Sequence, residues 1–201
     1  MSMLEQRIQQ QFFESADLQY QSADTLARQV AEAAQALLTA ITAGGKVLIC
    51  GSGWGVSLAD HFEALLVGGF ERERPPLAAL ALQGSRASSA QSSSMAAQVQ
   101  ALAHPGDVLV ALVCGKNDAE VLAAADAARA RECTLVVFGG DGDGGDGDTA
   151  QFAAWRERLT ETDVMVAVPH ERAARRLEFQ LLALHSLCDA LDLQLLGELE
   201  P

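Results

Sequence analysis

A glycine-rich segment, 51–55 (GSGWG), is the part of this sequence best suited to hold a ligand. It follows an apolar run, Lys46–Cys50, and precedes a helical pattern near 55–68. Glycines allow a tight turn, and a helix that starts there directs backbone N–H groups and partial positive charge at the turn. The segment therefore predicts a site for a phosphate or another anion, although glycines also occur wherever a strand turns sharply. It is not a dinucleotide fingerprint, because the third glycine has the wrong spacing. We expect the bulky Trp54 to fill all or part of the cleft.

Histidines are the other candidate catalytic groups, and each also has a structural interpretation. His61 lies in the helical pattern that follows the glycine segment, and a hydrogen-bonded structural role is favoured over a ligand or base. His185, in the last helical pattern, is favoured as structural for the same reason. The acidic loop Asp141–Asp148 (DGDGGDGD) fails the EF-hand pattern, since Gly145 stands where an oxygen ligand is required, and it is expected to be a solvated turn.

The elements that must position these groups follow a strand–helix rhythm. Continuous apolar runs, typical of strands buried on both faces, are Lys46–Cys50, Leu77–Leu82, Asp107–Val113, Thr134–Phe138 and Asp163–Val168. Helical patterns lie between them near 55–68, 92–103, 117–131 and 150–160. This alternation predicts an α/β fold whose parallel sheet is covered by helices on both faces.

An N-terminal extension, residues 1–44, precedes the α/β domain, residues 45–201. Its apolar spacing predicts two helices, with a new start capped by Ser22 or Asp24 and an end at Gly44-Gly45. The last helical pattern carries a heptad seam at Leu177, Leu181, Leu184, Cys188, Leu191 and Leu195. The apolar surface of these helices exceeds what one small sheet can cover, which favours self-association. The alternative is that the N-terminal helices cover the last helix within one chain.

Charge and composition exclude several classes of function. The 201 residues carry a formal net charge of −13, so we expect no direct contact with nucleic acid or an anionic membrane. No apolar run reaches the ~18 residues of a membrane span, and the first residues lack a signal peptide's pattern. Four cysteines without a CxxC pair predict a reduced, cytoplasmic protein, and the apolar segments around Cys50, Cys114 and Cys188 predict that these three thiols are buried. The charged run Glu71–Arg74 and the cluster Arg172, Arg175 and Arg176 are expected to face solvent.

Four stretches together resemble the sugar isomerase (SIS) domain family, in particular phosphoheptose isomerases and bacterial DnaA initiator-associating proteins. They are 44–62 (GGKVLICGSGWGVSLADHF), Phe70–Leu82, Gln98–Leu112 and Val168–Asp192. The resemblance implies a SIS domain with a five-stranded parallel sheet and a homotetramer, or a dimer, with sites between subunits. It also implies a sugar-phosphate pocket and, from the initiator-associating branch, DnaA as a protein partner.

The resemblance places the ligand pocket at the glycine segment and at the loop after the third strand. The candidate ligand-binding residues are Gly51, Ser52, Gly53, Trp54, Gly55, Cys114, Lys116 and Asn117. Gly55 stands where the isomerases carry a phosphate-binding serine, and the loop 113–118 (VCGKND) has lost nearly all of their hydroxyl groups. Because a buried phosphate needs several donors, and Asp118 adds a negative charge, we expect weak phosphate binding.

The metal and proton-transfer positions of the zinc-type isomerases are also altered. His61 matches one ligand, but Leu65 replaces the glutamate, Glu178 the glutamine, and Ser186 the second histidine. His185 is one residue away, and a one-residue step turns a helical side chain by ~100°, so we expect it to face elsewhere. We therefore expect no zinc and no cofactor, and only His61 and Glu178 remain as relic catalytic candidates. The resemblance then implies a binding or regulatory protein, with three alternatives left open. These are a regulator that engages DnaA, an active isomerase acting on sedoheptulose 7-phosphate, and a pocket for a neutral sugar derivative.

Overall fold

Five parallel strands form one sheet in the computed structural model, which describes residues 2–84, 94–114, 118–139, 153–168, 170 and 172–198. The strands are β1 (Val47–Ser52), β2 (Ala79–Ala81), β3 (Val108–Val113), β4 (Thr134–Gly139) and β5 (Val164–Ala167). Their order is β2-β1-β3-β4-β5, and each pairs in parallel with its neighbours. The predicted five-stranded parallel sheet is confirmed, and every strand overlaps one of the apolar runs.

Helices cover both faces of the sheet, as the strand–helix rhythm predicts. They are α1 (Met3–Thr42), α2 (Gly55–Gly68), α3 (Met95–Leu102), α4 (Ala119–Ala130) and α5 (Ala173–Leu196), with a short helical turn at 153–156. Helices α1, α2 and α5 pack on one face, and α3 and α4 pack on the other together with Trp155. Along β1, Val47 and Ile49 face the first core whereas Leu48 and Cys50 face the second, so the whole strand is apolar.

The N-terminal extension is one helix of 40 residues, and the prediction of two helices is wrong. No glycine or proline occurs between Met3 and Thr42, so nothing breaks the hydrogen-bonding ladder at Ser22, which is buried within the helix. The helix begins with a capping box between Ser2 and Glu5. It ends before Gly44, whose φ of +85° suits a glycine at a helix stop. Among the described residues, no helix combines the length and apolar character that a membrane span needs.

The heptad face of α5 packs on the sheet and meets a buried ion pair. Leu184, Cys188 and Leu191 are fully buried in the first core. Arg74 Nε donates to Asp192 Oδ1 at 2.6 Å, and both side chains are 1% exposed. Because this contact joins the segment before β2 to α5, Arg74 does not lie at the surface, and the expectation of a solvated run is wrong for this residue.

The arginine cluster at the start of α5 also departs from expectation. Arg175 and Arg176 are buried, whereas Arg172 stays exposed and forms an ion pair with Glu14 of α1 at 3.0 Å. Arg175 Nη2 donates to Gln11 Oε1 at 2.9 Å, so this cluster attaches the amino-terminal half of α1 to α5. The long α1, which a sequence pattern treats as separate, covers Arg175 and so helps to remove it from solvent.

Asp163 is the centre of a hydrogen-bond network at the amino-terminal edge of the sheet, just before β5. Its carboxylate accepts hydrogen bonds from Arg129 Nη2 at 2.5 Å, from the Leu135 N–H at 2.7 Å and from the Thr160 N–H at 2.7 Å. Burial by itself raises the pKa of Asp163, but these bonds together hold the pKa below its ordinary value. The carboxylate therefore stabilises the fold in its charged form.

Candidate functional site

The glycine segment is a tight turn whose backbone packs directly against other backbone, with no room for side chains between. A Cβ on Gly51 would lie 2.2 Å from the Gly55 carbonyl oxygen, and one on Gly55 would lie 2.2 Å from the Leu112 carbonyl oxygen. Gly53 has a φ of +56°, which favours glycine. The three glycines therefore let α2 start against β1 and β3, as the structural interpretation of this motif requires. Ser52 ends β1, and its buried hydroxyl has no hydrogen-bond partner among the described residues.

An open cleft of about 500 Å³ lies between the first turns of α2 and α5. Its lining residues are Trp54, Ser57, Leu58, Ala174, Leu177 and Glu178. Trp54 is 56% exposed and forms one wall, so it does not fill the whole cleft, and of the expectation that it fills all or part of the cleft only complete filling is wrong. The tight turn at Gly53 explains this, because the indole at the start of α2 is directed outward and not into the sheet. Sequence reasoning missed Ser57, although it lies three residues after Trp54 and hence on the same side of a helix.

Glu178 is held at one of its two carboxylate oxygens. Oε2 accepts hydrogen bonds from Ser15 Oγ of α1 at 3.1 Å and from Arg175 Nη1. No described residue donates to Oε1 in the structure, and the side chain is 43% exposed. The carboxylate is therefore fixed in position, partly neutralised by Arg175, and still able to accept a hydrogen bond from a ligand. No pattern in the sequence points to Ser15, which lies 163 residues before Glu178.

His61 of α2 and His185 of α5 form a close pair. Their Nε2 atoms are 2.9 Å apart and their ring centroids 5.3 Å apart, and Phe70 lies against the His185 ring. One Nε2 donates and the other accepts, so the two imidazoles can share one proton. Burial and the charge of a protonated His61 lower the pKa of His185, while Glu71 opposes the change. His185 therefore favours its neutral form at pH 7.

The expectation that His185 faces elsewhere is wrong. The ~100° step per residue holds, but it turns Ser186 away instead. Ser186 lies in a groove between α1 and α5, and its hydroxyl donates to the Leu182 carbonyl at 3.0 Å. The rotation of α5 about its own axis on the sheet decides whether His185 or Ser186 faces His61.

The described residues do not fit the four-ligand zinc site that the resemblance implies. His61 and His185 supply two nitrogens, but Leu65, one helical turn after His61, has no donor atom. The Glu178 carboxylate is engaged at Oε2 with Ser15 and with Arg175, whose positive charge would oppose a metal ion beside it. Within the described part of the chain, no group of three or more histidine, cysteine, aspartate or glutamate side chains could hold a metal ion.

The residues after β3 are only partly described. Cys114 is buried, and its Sγ donates to Gln180 Oε1 at 2.7 Å, so the thiol packs in the core and not in the cleft wall. Burial raises its pKa to about 11, which keeps it a thiol. Gln180, which sequence reasoning did not single out, also donates to the Val113 and Phe138 carbonyls. Lys116, Asn117 and the acidic loop Asp141–Asp148 lie outside the described residues.

Asp118 is not directed at the glycine segment. Its buried Oδ2 accepts a hydrogen bond from the Trp155 indole N–H at 2.8 Å, on the α4 side of the sheet. The carboxylate is thus used to hold the start of α4. All four cysteines are free and buried, which confirms the prediction for Cys50, Cys114 and Cys188 and adds Cys133.

Comparisons with known proteins agree with this architecture. A family model for the SIS domain matches residues 11–140. The chain is 51% identical to a phosphoheptose isomerase of Methylibium petroleiphilum, over 98% of each chain. It is 39% identical to a phosphoheptose isomerase of Aromatoleum aromaticum, over 95% of this chain and 96% of the relative. The structure is similar to a phosphoheptose isomerase of Francisella tularensis, with a TM-score of 0.81, 31% identity and coverage of 96% and 99%. It is also similar to the phosphoheptose isomerase GmhA of Neisseria gonorrhoeae, with a TM-score of 0.77 and 31% identity. That similarity covers 94% of this chain and 99% of the other. A relative this similar along almost the whole chain, together with the shared sheet and domain model, means that this chain belongs to the SIS-domain family and is similar to its phosphoheptose isomerases.

Proposed function

We propose that this chain is a non-catalytic SIS-domain protein that binds a carbohydrate derivative in the cleft between α2 and α5. The observation that carries the proposal is an accessible cleft whose reactive positions are filled by unreactive groups. Leu65 lies one turn after His61, where the resemblance puts a carboxylate, and the carboxylate of Glu178 is engaged by Arg175 and Ser15. The wall also includes Trp54, which can pack against a ligand but cannot transfer a proton, and the apolar side chains of Leu58 and Leu177.

The chemistry of isomerisation explains why these replacements matter. Moving a carbonyl between adjacent carbons of a sugar requires a base that removes a proton from one carbon and an acid that returns it to the next. A metal ion would help by polarising the carbonyl, but two histidine nitrogens fall short of the usual ligand number. The described cleft residues therefore support binding better than turnover.

An active sugar-phosphate isomerase is the second candidate function. The His61–His185 pair favours it, because a neutral imidazole held beside another imidazole can accept a proton and pass it on. The similar proteins named phosphoheptose isomerase favour it as well. In this alternative the histidine pair would transfer the proton in place of the absent carboxylate.

Turnover of sedoheptulose 7-phosphate separates the two candidates. The assay uses the purified full chain with and without added zinc, beside the His61→Ala and Ser186→Ala variants. Ser186 is the matched control, since it lies on the same helix as His185 but in the outer groove. We expect no turnover above the background of a no-protein reaction. Turnover that His61→Ala abolishes and Ser186→Ala retains would establish the isomerase instead.

Self-association is the second part of the proposal. The amino-terminal half of α1 exposes large apolar side chains: Leu4 is 69% exposed, Phe12 71% and Tyr20 88%. Helix α1 also contributes to an apolar groove of about 470 Å³ between α1 and α5, which includes Leu26 and Leu182. We propose that a second copy of the chain covers this surface, in a dimer or homotetramer. Light scattering coupled to gel filtration tests this: Phe12→Glu should lower the oligomer mass, and a monomeric parent chain would contradict it.

A protein partner is the third part of the proposal. The resemblance to initiator-associating proteins suggests DnaA, and the net charge of −13 suits a basic protein surface better than nucleic acid. A pull-down with immobilised DnaA tests this in low and in physiological salt. Retention that survives physiological salt would support the partner, and no retention in either buffer would remove it.

A further inference from the structure

The described walls of the α2–α5 cleft combine an aromatic face with a carboxylate and carry no positive charge. Trp54 and Ser57 come from α2, and Leu177 and Glu178 come from α5. None of the described lining residues is a lysine, an arginine or a histidine. A cleft of about 500 Å³ has room for a single sugar ring and not for a macromolecule.

Trp54 has the geometry of a stacking surface. It is 56% exposed although it lies directly before α2, whereas Trp155, the other tryptophan, is completely buried. The apolar side chains of Leu58 and Leu177 line the same cleft. The face of an aromatic ring is electron-rich and attracts C–H groups, which one face of a sugar ring presents. An exposed indole above an apolar floor therefore suits a carbohydrate ring.

Glu178 supplies a fixed hydrogen-bond acceptor beside that surface. Ser15 and Arg175 both donate to Oε2, so they orient the carboxylate and leave Oε1 for a ligand. Arg175 is buried and offsets part of the negative charge, but it is not part of the cleft wall. Oε1 can accept a hydrogen bond from a sugar hydroxyl, and the Ser57 hydroxyl can donate or accept a second one.

The same carboxylate disfavours a phosphate group. A phosphate dianion needs several donors and suffers repulsion from a carboxylate in the same small cleft. The start of α2 contributes some positive potential, but the described wall adds no cation to it. A neutral polyhydroxy ligand meets no such repulsion, since its hydroxyl hydrogens are donors to Glu178.

We propose that this cleft binds an uncharged sugar in preference to its phosphate ester, with the ring against Trp54 and hydroxyl groups on Glu178 Oε1 and Ser57 Oγ. This inference rests on the carbohydrate-binding function proposed above and names the ligand class of that site. Trp54 and Glu178 are the residues that determine the preference. The arrangement departs from an anion site at the glycine segment, which the sequence by itself predicts.

Calorimetric titration with sedoheptulose and with sedoheptulose 7-phosphate tests the preference on the full chain. We expect the neutral sugar to bind more tightly by about tenfold, as a like-charge clash in the cleft would produce. Trp54→Ala should weaken the neutral sugar by about tenfold, while Trp54→Phe, which keeps an aromatic face, should stay within about threefold. Glu178→Gln should reduce the ratio between the affinities for the neutral sugar and for its phosphate ester, because it removes the negative charge that repels the phosphate. Thr162→Ala, which lies at the amino-terminal edge of the sheet and away from both the cleft and the α1–α5 groove, serves as the unaffected control.

Tryptophan emission provides a second readout that distinguishes the possible failures. Because Trp155 is completely buried, a ligand-dependent change in emission reports on Trp54. Tighter binding of the phosphate ester, with a change in Trp54 emission, would overturn the preference and leave the carbohydrate-binding function standing. Neither heat nor emission change with either sugar would overturn the carbohydrate-binding function together with the preference.

Discussion

Replacing Arg74 by methionine tests whether the buried ion pair holds α5 against the end of α2. Arg74 Nε donates to Asp192 Oδ1 at 2.6 Å, and both side chains are 1% exposed. Its other nitrogens donate to the Leu66 carbonyl at 2.7 Å and to the Leu65 carbonyl at 3.0 Å, which lie in the last turn of α2. Arg74→Met removes these bonds and leaves the Asp192 carboxylate buried without its cation.

The expected loss follows from the burial of both partners. Removing one partner of a buried pair costs about 3–5 kcal/mol of unfolding free energy, because the remaining charge is uncompensated. At about 2–4 °C per kcal/mol for a domain of this size, the unfolding midpoint should fall by about 6–20 °C. Adding Asp192→Leu should recover part of the loss, since the double variant buries no charge.

Circular dichroism during heating measures the midpoints, with Arg158→Met as the matched control. Arg158 forms a 2.8 Å ion pair with Asp126, but the two side chains are 33% and 57% exposed. An exposed pair contributes about 0–1 kcal/mol, so this control should lower the midpoint by less than about 4 °C. Equal shifts for the two methionine variants would refute the reasoning from burial. If Arg74→Met does not fold, Arg74→Lys, which keeps the charge but not the planar fork, should give an intermediate loss.

Three further predictions concern the glycine segment, the sheet edge and the histidine pair. Gly55→Ala should lower the unfolding midpoint, because its Cβ would lie 2.2 Å from the Leu112 carbonyl oxygen. Gly68→Ala is the control, because a Cβ there has no neighbour within 4 Å and should leave the midpoint unchanged. Equal midpoints for the two variants would contradict the packing role of Gly55. Asp163 has a folded-state pKa below its ordinary 3.8, so its contribution is complete above that pH and is lost as pH falls through the lowered pKa. Acid unfolding scans should therefore show a smaller pH dependence for Asp163→Asn than for the parent chain, and unchanged curves would exclude the effect. In NMR titrations, His61→Ala should raise the pKa of His185 toward its ordinary value, and an unchanged pKa would mean that burial alone sets it.

The elements of the fold were predictable because their signals are local. The apolar runs behind β1, β3 and β4 reflect burial on both faces, which needs no knowledge of the partner strand. The glycine segment was recognisable for a similar reason, since a tight turn between strand and helix restricts the residues within the turn itself. The glycines alone do not distinguish a packing role from a binding role, because close packing and ligand binding both use glycine.

The break proposed in α1 shows the limit of such local signals. Ser22 and Asp24 can cap a helix, but they also lie within one when no glycine or proline interrupts it. The packing of Val30, Ala33 and Leu37 on the sheet and the attachment of the amino-terminal half to α5 fix a single continuous helix. These contacts join residues that are far apart in sequence.

The site depends on distances that no local pattern contains. His61 and His185 lie 124 residues apart in the chain, and Ser15 and Glu178 lie 163 apart. Periodicity shows that α5 has an apolar face, but the rotation of that helix on the sheet decides whether residue 185 or 186 meets α2. Local patterns were thus sufficient to predict the strands, the glycine turn and three of the four buried thiols, because each depends on adjacent residues. The histidine pair, the exposed Trp54 and the buried arginines are visible only in the folded chain, because each depends on how helices from distant segments pack against one sheet.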